Sequence, residues 1–179
     1  MVDAVLDLRP IAPAAIVAVT GLVVLLAQAF SPKGKASPSS ALSLAGLAAA
    51  LGSVAMLATG PGRGSVLAGA VAADDFSLFF HALVLGVAAV TVLLSAAYLR
   101  QNGMERGEYY ALLLFSVVGM LGLVSSLELV SMFVALEIMS IALYGMAGMN
   151  RARPESQESA LKYFVTGSFA SAFFLYGIA

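Results

Sequence analysis

The chain has 179 residues, 61% of them hydrophobic and 11% charged, with a mean hydropathy of +0.98. A soluble domain carries about 25% charged residues, so a water-facing surface of ordinary make-up is excluded and the composition is that of an all-α, polytopic membrane bundle. The lack of cysteine excludes disulfides, thiolate metal sites and cysteine nucleophiles; a lone histidine, His81, argues against a histidine metal cluster; and a net charge of −1 gives nucleic acid no basic surface to bind.

A run of roughly 20 apolar residues crosses a bilayer, and the chain has room for about six. Asp3, Asp7 and Arg9 stand where a signal peptide would be basic, so the first run is read as a retained helix. It covers residues 11–30, with Pro10 and Pro13 in a first turn that tolerates them. The second run, 41–58, is rich in Ala, Gly and Ser, which suits close packing against protein. A Gly-Pro turn region follows, and residues 66–75 are too short to span, suiting a small hairpin or an interfacial segment. The third run covers 76–99, with His81 near its start as a packed or interfacial histidine. The fourth covers 109–126, the fifth 129–149 and the sixth 155–179. Arg151 and Arg153 follow the fifth, where a helix C-terminus favours cations, and Pro154, Glu155 and Glu158 open the sixth. The sixth is still apolar at Ala179, so the chain is expected to be the first part of a longer membrane protein, incomplete at its C-terminus.

Lys33, Lys35, Arg100, Arg106, Arg151 and Arg153 fall in loops on one side, and only Arg9 and Arg63 on the other. The positive-inside rule then puts the N-terminus outside, together with Asp74 and Asp75.

Two charges lie within the apolar runs. Glu137 is near the middle of the fifth, where a charged residue costs about 2.5–3.5 kcal/mol unless it is paired, neutralised or facing a polar cavity. Phe133, Glu137, Ser140, Tyr144 and Gly148 share one helix face, and that face is expected to point into protein. Lys162 is two turns into the sixth run, at the head of a stripe with Glu155, Ser159 and Thr166. Counting from the connecting loop puts Glu137 ~18 Å and Lys162 ~12 Å deep, an axial offset of ~6 Å that extended side chains can bridge. Burial disfavours each charged form and proximity favours the charged pair, so a Glu137–Lys162 pair that opens and closes would load and release a proton. Lys162 equally fits a snorkelled end bonded to Glu158 at i, i+4. Glu137 equally fits a neutral acid making one interhelical hydrogen bond. No phosphate-binding loop, dinucleotide fingerprint or H-E-x-x-H is present in the sequence.

The run Leu136-Glu137-Ile138-Met139-Ser140-Ile141-Ala142-Leu143-Tyr144, the short basic loop after it, and the following E-S-A-L-K-Y-F-V-T-G-S-F-A-S-A-F-F-L-Y-G-I-A resemble the subunit N family of proton-pumping NADH:quinone oxidoreductase, respiratory complex I. Asp74-Asp75-Phe76-Ser77 with Phe79-Phe80 is similar to that family's entry into its third helix. The resemblance implies an antiporter-like inverted-repeat fold and a proton-translocating membrane-arm subunit in a bacterial plasma membrane. It implies other membrane-arm subunits and the lipid bilayer as partners. Electron transfer from NADH to quinone would then belong to other subunits, with no cofactor or metal in this chain. It further implies that Glu137 and Lys162 serve proton translocation. Cation/proton antiporter subunits of the Mrp or membrane-bound hydrogenase type share the arrangement and form the alternative, beside a purely structural membrane anchor.

Overall fold

The computed structural model describes residues 8–30, 38–60, 64–66, 69–101 and 106–179. Lys33, Lys35 and Arg63, on which part of the orientation rests, lie outside the described residues. A 3-10 turn, Arg9–Ile11, leads into α1 (Ala12–Ala29), followed by α2 (Ser39–Thr59), a hairpin of β1 (Gly64–Val66) and β2 (Val71–Ala73), α3 (Asp75–Gln101), α4 (Gly107–Ser125), α5 (Leu129–Ala147) and α6 (Pro154–Ile178). Each helix end lies within two residues of the boundary expected from hydropathy.

Among the described residues, five helices, α1 to α5, are long and apolar enough to cross a membrane. The sixth, at 25 residues, is long enough but more polar, because Glu155, Gln157, Glu158 and Lys162 occupy its first turns.

The centre of the bundle is α4. Half of its most apolar stretch is buried (50%), against 17% for α5, so α4 is the hub and α5 stands at the edge. It packs on α1, α2, α3 and α5, and α6 is seated chiefly on α5. Tyr110, Leu114 and Leu121 of α4 meet Val17 and Val24 of α1, Leu47 of α2 and Leu85 of α3 in one apolar core. The small residues of α2 are only partly used: Gly46 lies against Thr20 of α1, while Gly52 faces open space.

The hairpin is antiparallel, with Gly64 opposite Ala73 and Val66 opposite Val71. Gly69, at φ 96°, takes the left-handed turn between its strands. Val71 also bridges to Ser126, and the Leu127 amide donates to the Ala70 carbonyl (2.9 Å), so the hairpin clasps the α4–α5 turn. It ends in a reciprocal cap on α3. The Ser77 amide donates to Asp74 Oδ1 (2.7 Å) and the Asp74 amide to Ser77 Oγ (2.9 Å). The backbone hydrogen bond from Ser77 holds the Asp74 carboxyl below its usual value of 3.8. With the folded value depressed, this stabilisation is present above the ordinary carboxylate range and is lost as pH falls through the folded value. Asp74→Ala is expected to destabilise the start of α3 by about 1 kcal/mol, a loss visible in thermal unfolding at neutral pH and shrinking in acid.

Candidate functional site

The seam between α5 and α6 carries the mid-helix acid. Glu137 lies eight residues after the start of α5 and ten before its end, or ~12 Å and ~15 Å along the axis. It is half-buried, and Ser171 Oγ of α6 donates to its Oε1. Its other carboxylate oxygen has no partner among the described residues.

What points Glu137 at α6 is the packing behind it. Ala135 and Met139 each lie two residues from Glu137, ~200° around the helix, and both back onto Gly119 of α4. A Cβ at Gly119 would come within 2.7 Å of the Ala135 carbonyl oxygen and of Met139 Cβ, and closer still to the Met139 amide nitrogen. The bare glycine therefore lets the two backbones touch, in the manner of small-residue contacts between membrane helices, and Glu137 is left facing the opposite way.

The face anticipated from sequence does meet α6. Phe133 packs on Phe174 with ring centroids 6.0 Å apart, and Tyr144 packs edge-on against Tyr163 (4.8 Å) and Phe164 (5.8 Å). Gly148 lies against Ala160, and Gly167 leaves room for the Tyr144 hydroxyl, which a Cβ there would strike. At the loop end, Ser156 Oγ donates to the Ala147 carbonyl (2.7 Å) and Gln157 Nε2 to the Gly148 carbonyl (3.2 Å). The start of α6 thus satisfies carbonyls that the end of α5 leaves open.

That register separates the two charges. Glu137 stands opposite Ser171, nine residues beyond Lys162. Nine residues are ~13.5 Å of axial rise and two and a half turns, roughly 180° of rotation. Lys162 is therefore both too far along α6 and on its opposite face. Its Nζ lies 2.5 Å from Glu158 Oε1, one turn back, with the two side chains 73% and 64% exposed. The direct Glu137–Lys162 pair anticipated from axial counting is not made. Counting along the helices ignored azimuth, and it missed that Gly148 of α5 packs on Ala160, six residues into α6. The stripe of Glu155, Ser159, Lys162 and Thr166 is exposed and faces away from α5. An exposed i, i+4 pair contributes about 0–1 kcal/mol.

Because groups separated by more than about 7–10 Å add nearly independently, a double-mutant cycle with Glu137→Gln and Lys162→Met is expected to show coupling below ~0.5 kcal/mol in unfolding free energy.

Ser171 and Gly119 were not anticipated. The trace of Ser171 in the sequence is the row Ala160, Gly167 and Ser171, small residues at seven- and four-residue steps that mark the inner face of α6. His81, 3% exposed, is the packed histidine expected. Its Nε2 lies 2.8 Å from Ser125 Oγ and 3.1 Å from the Leu121 carbonyl oxygen of α4.

The family described as "NADH:quinone oxidoreductase/Mrp antiporter, TM" matches residues 126–179, the turn before α5 through the end of α6. The chain is 46% identical to NADH-quinone oxidoreductase subunit N 2 of Koribacter versatilis, covering 97% of the chain and 37% of that protein. It is 39% identical to NAD(P)H-quinone oxidoreductase subunit 2 of a Synechococcus species, covering 93% and 32% respectively. A solved structure, respiratory complex I from Thermus thermophilus with bound aureothin, contains a chain that matches with a TM-score of 0.70 and 34% identity, over 92% of this chain and 35% of that one. The chain spans about a third of the length of the relatives it matches.

Proposed function

The chain belongs to the subunit N family of NADH-quinone oxidoreductase, and from that premise we propose that it forms part of a proton-translocating, antiporter-like membrane-arm subunit of the complex in a bacterial plasma membrane. The observation that carries this reading is Glu137. An acid near the middle of an apolar helix, aimed at α6 and hydrogen-bonded through one oxygen only among the described residues, supports a role in taking up and releasing a proton. The redox chemistry belongs to other subunits, and this chain contributes no cofactor site. Lys162, at the polar end of α6, acts as a separate station near the membrane surface; it exchanges protons with water or with whatever covers the outer face of α6. The N-terminus lies outside and the arginine-bearing loops lie in the cytoplasm.

The matched family also includes Mrp antiporters, which supports cation/proton exchange as a second reading. The two are distinguished in vesicles containing the complete complex, with proton uptake followed during NADH oxidation by quinone. Uptake that needs quinone reduction and ignores sodium and potassium supports the first reading. Uptake driven by a sodium or potassium gradient without NADH supports the second and contradicts the first.

A further inference from the structure

Where the loops bearing Arg106, Arg151 and Arg153 converge, the ends of α3, α4 and α5 enclose an open cleft of about 740 Å³. Those three arginines line it together with Tyr98, Asn150 and Ser156. None of the three arginines forms an ion pair with a described residue, and the nearest described acids in sequence, Glu108 and Glu155, do not line the cleft. A second hollow, about 330 Å³, lies beside it between α3, α4 and α5. Tyr109 and Met146 belong to the walls of both, so the two adjoin.

The second hollow is apolar in practice. Val87, Leu113, Val117 and Met120 line it, and its hydroxyls are spent: Thr91 Oγ1 donates to the Val87 carbonyl (2.8 Å), Ser116 Oγ to the Leu113 carbonyl (2.7 Å), and the Tyr109 hydroxyl is hydrogen-bonded to Ser95 Oγ of α3 (2.9 Å). From Tyr109 to Met120 the groove descends eleven residues of α4, or ~16 Å, close to half of a hydrocarbon core of ~30 Å. A cationic mouth flanked by tyrosines at the interface, adjoining an apolar groove one leaflet deep, has the charge and the length of one lipid molecule.

We propose that this cleft and groove bind an anionic phospholipid, its phosphate held by Arg106, Arg151 and Arg153 and one acyl chain lying along α3 and α4. Basic hollows between transmembrane helices are suited to such headgroups, and each arginine near the surface contributes about 1 kcal/mol, roughly fivefold in occupancy.

The test uses the complete complex in vesicles doped with a phosphatidylglycerol carrying a photoactivatable acyl chain, with the matching phosphatidylcholine in a parallel set. At sub-saturating doping, phosphatidylglycerol is expected to label peptides of α3 and α4 around Val87 and Leu113, and phosphatidylcholine to label them several-fold less. The double substitution R151Q/R153Q is expected to lower the phosphatidylglycerol label roughly 25-fold. Val87→Trp, at a position already 58% exposed, fills the groove from outside and is expected to abolish the label without disturbing assembly. Equal labelling by the two lipids, or labelling indifferent to the arginines, overturns the proposal. So does displacement by inorganic phosphate, which would make the cleft a site for a free anion. Cross-links from the groove to another protein segment instead of lipid would also overturn it.

Discussion

Glu137→Gln is expected to lower quinone-dependent proton translocation by roughly 10²-fold or more, the range a single proton-transferring group commands, while the complex still assembles. The substitution preserves the shape of the side chain and an oxygen able to accept from Ser171 Oγ, so the α5–α6 seam keeps its contacts. What it removes is the ability to gain and lose a proton. Glu137→Ala is a poorer probe, because it leaves a space between the helices and confounds chemistry with packing. Ser171→Ala is expected to fall between: the acid remains but loses its positioning donor, so transport slows, and Ser171→Ala adds little once Glu137→Gln has been made. The outcome also separates the proposed function from a structural anchor. An acid that only joins two helices through one hydrogen bond is replaced by glutamine without loss of transport. The measurement is proton uptake per quinone reduced in vesicles, with assembly checked by native electrophoresis.

The second large effect is expected at a residue with no polar atoms in its side chain. Gly119→Ala places a Cβ against backbone atoms of Ala135 and Met139. Backbone cannot swing aside as a side-chain tip can, so α4 and α5 must separate. Overpacking of this kind costs about 1–3 kcal/mol. The functional loss is expected to exceed that figure, because the same displacement shifts Glu137 relative to Ser171, and about 1 Å of misplacement at a reacting group can cost 10²-fold. Gly52→Ala supplies the control. A Cβ there meets nothing within 4 Å, and replacing a helical glycine with alanine stabilises by about 0.4–1 kcal/mol. Thermal unfolding of the two variants should therefore move in opposite directions, and only Gly119→Ala should impair proton uptake.

Helix positions were legible because a bilayer imposes length and hydropathy on each span; the six helices fall where the apolar runs do. The direction of Glu137 was legible from periodicity, since Phe133, Tyr144 and Gly148 on the same face all touch α6. Its partner was not. Finding Ser171 requires the register between two helices, which is fixed by where Ala160 and Gly167 let them approach and by Ser156 and Gln157 closing the loop. Lys162 shows the cost of reasoning along one axis only: depth alone put it within reach of Glu137, and half a turn of azimuth removed it. The open alternative for Lys162, a bond to Glu158 one turn away, is the arrangement found. The clasp of the hairpin on the α4–α5 turn also lay beyond sequence, because it joins Val71 to Ser126 across all of α3 and α4.

The claim on which the function rests is that Glu137 changes protonation during turnover and that Lys162 does so independently. Infrared difference spectra of the complete complex, recorded as quinone reduction begins, read carboxyl protonation directly. A carboxylic C=O band that appears in the wild type, vanishes in Glu137→Gln and persists in Lys162→Met is the expected result. A band unchanged by Glu137→Gln would contradict it.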